Sequence, residues 1–226
     1  MDPVSSTVAS VVLILFVIFG FAVVVLQPPV RASLIIILVG ALLLPVNVGF
    51  DFPLIPLLGR RNLPYLLLLV GILLFWPNRA SGIGFGRVPD FLAVMIGVSP
   101  FITSLLNQDG LRWGPLAIGG LTPWDGVSAS VHAFLDIGLP FYVGRIIFKT
   151  SEDLRRLMTW LVAAALIYSL GVLIEIRLSP QLHNWVYGYH PNEFYYNIRW
   201  GGFRPMVFLP GGIAVALFLL NTTLAA

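Results

Sequence analysis

The stretch that decides the fold is VASVVLILFVIFGFAVVVL, residues 8–26, followed at once by Gln27-Pro28-Pro29. It carries no charge. Its length fits the roughly 20 apolar residues that a helix needs to cross a bilayer. The head that precedes it has no Lys or Arg, and no small-x-small cleavage site follows, so the stretch reads as a retained membrane helix and not as a signal peptide. Working outward, six more apolar segments follow: 32–46, 63–76, 88–106, 127–148, 157–178 and 203–224. The segments 32–46 and 63–76 fall short of a comfortable span, so their flanks thin the bilayer or one of them is re-entrant. The runs are continuous and not alternating, which excludes a membrane β-barrel. The expected fold is all-α: one polytopic transmembrane helical bundle over 1–226, with about seven membrane segments.

Composition agrees. Hydrophobic residues make up 58% of the 226 residues and charged residues 10%, against about 25% charged in soluble domains. Soluble enzymes, disordered chains and coiled coils are excluded. Every basic residue except Lys149 is Arg, and none forms a stripe, so no nucleic-acid partner is expected. With no Cys there is no disulfide, thiolate metal site or cysteine nucleophile.

Pro and Gly mark the connections: Gln27-Pro28-Pro29, Pro53 to Pro56, Trp76-Pro77-Asn78 and Pro123-Trp124-Asp125-Gly126. The six Trp lie near segment ends or in loops, as an interfacial belt requires. The densest short basic cluster, Arg145 to Arg156, places the loop FKTSEDLRR in the cytoplasm. The loop 179–202 then faces outward.

Ionisable groups inside spans cost about 2.5–3.5 kcal/mol each on insertion scales, so each needs a reason. His132 and Asp136 stand four apart, on one helix face. They form an intramembrane polar pair that lines a substrate or proton path, or a structural pair that fixes helix packing. Glu175 and Arg177 end the sixth segment and are expected to snorkel to the interface. Asp90 suits the first turn of the fourth.

The loop 179–202, SPQLHNWVYGYHPNEFYYNIRWGG, is the richest in chemistry. It holds Trp185, Trp200, His183, His190, Glu193 and Arg199 among several Tyr, and Arg204 follows. Aromatic faces stack on sugar C–H surfaces, and guanidinium forks grip phosphate oxygens in pairs. An interfacial belt lying in the headgroups is the alternative. His190-x-x-Glu193 is interrupted by Pro191, so no metal site is expected. No cofactor motif occurs.

The stretches EDLRRL (152–157), EIRLSPQLHNWVYG (175–188) and RWGGFRPMVFL (199–209) resemble the O-antigen ligase / O-antigen polymerase superfamily of bacterial inner-membrane proteins, in its exopolysaccharide polymerase-like branch. The resemblance implies a metal-independent glycosyltransferase. It would move glycan from an undecaprenyl-pyrophosphate carrier to a second acceptor on the periplasmic side. It implies that Arg204 is the catalytic arginine facing the lipid-linked pyrophosphate, that Arg199 assists, and that His183, Trp185, His190 and Trp200 shape the substrate pocket. Relatives often carry His-Gly after the FRPxVFL run, where this chain has Pro210-Gly211-Gly212. The resemblance covers about the N-terminal half of a full enzyme, so the chain is expected to be a fragment of a larger one. A membrane transporter or flippase subunit and a non-catalytic membrane assembly protein are the other readings. In each, membrane lipids are partners.

Overall fold

The computed structural model describes residues 6–52, 55–80 and 86–226. Residues 1–5 of the head without Lys or Arg, and Pro53 of the second loop signal, lie outside the described residues. Each of the seven apolar segments contains a helix. Ser6 caps α1 (Thr7–Leu26), its side chain accepting from the Ala9 N–H. Pro28-Pro29 ends one helix and starts the next, α2 (Pro29–Leu43), with proline at its first position. A β-hairpin, β1 (Gly49–Phe52) and β2 (Ile55–Gly59), leads to α3 (Leu63–Leu74) and the single turn α4 (Pro77–Ala80). Then come α5 (Val88–Leu106), a second hairpin of β3 (Leu111–Trp113) and β4 (Leu116–Ile118), and α6 (Pro123–Ala133). A π-helical turn, Phe134–Gly138, joins α6 to α7 (Leu139–Ile147). After α8 (Ser151–Leu178) come α9 (Leu182–Tyr187), a 3₁₀ turn, the short hairpin β5 (Ile198–Arg199) and β6 (Gly202–Phe203), and α10 (Gly212–Ala225).

Among the described residues, four helical stretches are long and apolar enough to cross a membrane: α1, α5, the continuous run Pro123–Ile147 and α8. The helices α2, α3 and α10 are apolar but shorter. In lipid, burying apolar surface does not pull helices together, so close packing must. Glycines supply it between α1 and α3. A Cβ at Gly20 would lie 2.7 Å from Leu67, and one at Gly71 2.8 Å from Val24. The main core joins α1, α2, α3 and α7 around Leu13, Ile36, Leu68 and Val143. A second joins α2, α8 and α10 through Leu42, Tyr168, Val172 and Val215.

The connections gather at two ends. At one, Arg79 donates to the Ile147 carbonyl and faces Asp153 at 3.9 Å, and Arg145 pairs with the buried Asp90. Asp90 also caps α5 by accepting from the Arg87 N–H, as its first-turn place suggests. At the other end, Ser6 donates to the Tyr187 carbonyl and Asn47 to that of Pro191.

Two expectations change at this second end. Glu175 does not snorkel: it is fully buried and takes N–H groups from Leu182 at 3.0 Å and from Met206 and Val207 at 2.7 Å each. Those donors supply what water would have supplied. The seventh segment, moreover, becomes helical only at Gly212, so Arg204 does not open a helix. Pro205 and Pro210 break the run, and the Met206 and Val207 donors are spent on Glu175 instead of a helix ladder.

Candidate functional site

The turn from β2 into α3 is Arg60-Arg61-Asn62. Asn62 builds it: its Oδ1 accepts from the Gly59 N–H at 3.0 Å, and its Nδ2 donates to the Leu57 carbonyl at 3.2 Å. Asn62 is buried, and the two arginines diverge around it. Arg60 turns into the protein, where its guanidinium donates to the Phe208 carbonyl at 2.6 Å and to the Ala41 carbonyl in the last turn of α2. It thus satisfies a helix-end acceptor and ties α2 to the strand-poor stretch before α10. Arg61 turns outward; its side chain is 76% exposed, and Nη1 lies 3.7 Å from Asp136 Oδ2.

Asp136 reaches this position because of the π turn. Pro140 has no N–H to give the Asp136 carbonyl, and its ring would press on that carbonyl in a regular α-helix. The turn widens instead, with Leu139 N–H bonding to Phe134 O. His132 and Asp136 both line one cavity. The ion pair that Asp136 makes, however, is with Arg61 and not with His132, because the hairpin turn brings a full guanidinium charge to its carboxylate.

Two cavities adjoin at Arg60, Arg61, Asp136 and Pro210. The first, about 250 Å³, is polar, with Asn47, Asn62 and His132 on its walls. The second, about 540 Å³, continues it between α2, α3 and α7 and is walled by Ile37, Ala41, Pro64, Tyr65, Ile137 and Leu209. An exposed ion pair is worth only about 0–1 kcal/mol, so Asp136 holds Arg61 weakly and leaves its fork able to take another anion. The whole is a charged mouth opening onto an apolar furrow, the shape of an amphiphile with an anionic head.

The residues singled out in the loop 179–202 lie apart from this cleft. Arg199 and Trp200 stand on the β5–β6 hairpin, Trp200 fully exposed in its two-residue turn at φ 51°, followed by Gly201 at φ 77°. Those positive angles suit the turn that matches strand twist. Arg204 is exposed just beyond, its N–H bonded to the Asn197 carbonyl. Trp185 is exposed on α9. His183 is buried: Nδ1 meets the Tyr189 carbonyl at 3.0 Å and Nε2 accepts from the Val46 N–H at 3.4 Å. Its ring nitrogens are both spent on holding the loop to the end of α2, and burial lowers its pKa below 6.5. Tyr187 and Tyr189 donate to the Leu43 and Val46 carbonyls beside it. Burial raises the pKa of both. His190 packs edge-on against Phe194, with rings 5.8 Å apart. Of the whole loop-to-helix stretch, it is Leu209 and Pro210 that reach the cleft.

No family model, curated protein or solved structure matches this chain. The cleft is what the chain itself offers. Sequence reasoning missed Arg60, Arg61, Asn47 and Asn62. The available signal was an Arg-Arg-Asn triplet lodged between two apolar segments too short to span. Among the described residues, no group of His, Asp and Glu is placed to hold a metal.

Proposed function

We propose that this chain is part of a bacterial inner-membrane polysaccharide polymerase or O-antigen ligase-like glycosyltransferase that holds an undecaprenyl-pyrophosphate-linked glycan. The observation that carries the reading is the junction of the arginine mouth with the apolar furrow. A lipid-linked pyrophosphate has an anionic head directly on a long hydrocarbon, which matches a charged mouth beside an apolar furrow. Arg61 would grip the phosphate oxygens, while Arg60, fixed by two carbonyls, supplies standing positive charge. When an acceptor hydroxyl attacks the anomeric carbon and loses its proton to water, the bond from that carbon to the pyrophosphate oxygen breaks, and undecaprenyl pyrophosphate departs with the negative charge. Preorganised guanidinium charge stabilises that state. The exposed Tyr195, Tyr196 and Trp200 lie in the same loop as Arg199, at the end of the bundle that would face the periplasm, where they can stack on sugar faces.

The test is binding of undecaprenyl pyrophosphate to the protein in nanodiscs, with inorganic pyrophosphate alongside. Arg61→Ala should weaken binding of the lipid at least tenfold, and Arg61→Lys should recover only part, since Lys lacks the planar fork. Equal affinities for all three proteins would sink the reading. A transporter or flippase subunit is the second reading. It is favoured by the Arg61–Asp136 pair, which sits at the π turn midway along a stretch of spanning length. Ion-coupled uptake into vesicles, abolished by Asp136→Asn, would select it.

A further inference from the structure

The β3–β4 hairpin is amphipathic, and among the described residues its apolar face covers nothing. Leu111 pairs with Ile118, Arg112 with Ala117 and Trp113 with Leu116. Residues directly opposed across a ribbon share a face, and successive residues alternate. Leu111, Trp113, Leu116 and Ile118 therefore form one face, and Arg112 and Ala117 the other. The four apolar side chains are 72%, 83%, 60% and 56% exposed. Leu121 and Trp124, just past the ribbon, are exposed as well.

The ribbon is fixed close to where a spanning-length helix ends. Leu121 N–H bonds to the Asn107 carbonyl, the C-cap of α5, at 2.8 Å. The two chains cross there so tightly that a Cβ at Gly120 would lie 1.7 Å from the Gln108 carbonyl oxygen. Strands of three residues rise only about 10 Å. The headgroup layer on each side of a bilayer is about 5–8 Å deep. Whichever way the ribbon leans, its stem stays at headgroup depth, where Trp is at home and Arg meets lipid phosphate.

We propose that β3–β4 is an interfacial ribbon whose Leu111/Trp113/Leu116/Ile118 face rests on the phospholipid bilayer, with Arg112 turned to the aqueous side. This assignment stands whether or not the cleft binds a lipid-linked glycan. The chain has no Cys, so single cysteines can be placed at will. Leu116→Cys and Ala117→Cys would each carry a nitroxide in nanodiscs of phosphatidylcholine and phosphatidylglycerol, with Ile118→Cys as a second probe of the apolar face. Collision with oxygen, which concentrates in lipid, is compared with collision with a water-soluble nickel chelate. The oxygen-to-nickel ratio should be several-fold higher at 116 and 118 than at 117. Equal, nickel-dominated ratios at all three would overturn the proposal by showing a ribbon standing in water. Exclusion of both reagents from 116 and 118 would overturn it too, by showing a protein surface against that face.

Discussion

Glu175 shows how one side chain can replace a length of secondary structure. Its carboxylate collects three backbone donors from two separate segments, two of them from successive residues converging on a single oxygen. Val207 is held at φ 51°, unusual for a β-branched residue, and the nest of adjacent N–H groups explains why that conformation persists. Removing the acceptor strands buried donors at about 1–3 kcal/mol each. Glu175→Ala should therefore lower the melting temperature in detergent sharply, and Glu175→Gln, which keeps one acceptor oxygen, should lower it less. Equal melting curves would mean that the donors find other partners. The sequence suggested snorkelling because Glu175 and Arg177 end an apolar run. Nothing in a linear pattern announces a nest some thirty residues downstream. His183 makes a second prediction at this scale. Its folded pKa is held below 6.5 by burial, so above that pH both folded and unfolded rings are neutral and stability is at its full value. As pH falls below 6.5 the unfolded ring takes a proton that the folded one refuses, and stability declines until the folded pKa is passed. Melting temperature should drop between pH 7 and pH 5, and His183→Gln should flatten that slope.

Among the elements, the helices were the legible part. Apolar runs name their own helices in a membrane because each span must satisfy its backbone internally. The shortness of α2 and α3 was also visible in the sequence, but not its reason. The β1–β2 hairpin and the Arg60-Arg61-Asn62 turn occupy the length those helices lack, and they bring charge alongside the π turn. Hairpins this short leave little periodicity to read, so the cleft they form could not be assembled from the sequence. The π turn itself is testable. Pro140→Ala restores a donor for the Asp136 carbonyl, which should close the wide turn and swing Asp136 away from Arg61. Thermal stability should hold or rise, while affinity for undecaprenyl pyrophosphate changes. Stability falling together with affinity would show that the π turn is merely structural. Where α1 meets α3, Gly20→Leu should cost about 1–3 kcal/mol, because Leu67 already fills the space. A melting curve like that of the parent would mean that the two helices can move apart freely.

For the whole molecule, the two ends differ in kind. One carries Arg79, Lys149, Arg155 and Arg156 around a short, well-capped loop; the other carries the hairpins, the cleft and the aromatic loop. The end with this dense short cluster is expected in the cytoplasm. Cysteines at Ser151 and at the exposed Glu193 would report on it: an impermeant thiol reagent on spheroplasts should reach position 193 and spare 151. Labelling of 151 alone would invert the molecule, and with it the side from which the cleft is filled.

The stretch from Leu182 to Val207 leaves Glu175 and returns to it, so a single carboxylate closes it like the clasp of a bracelet. The exposed Arg199 is a trypsin target on that circuit. A chain cut there should run as two pieces in denaturing gels and yet travel as one particle in native ones, because both cut ends remain clasped.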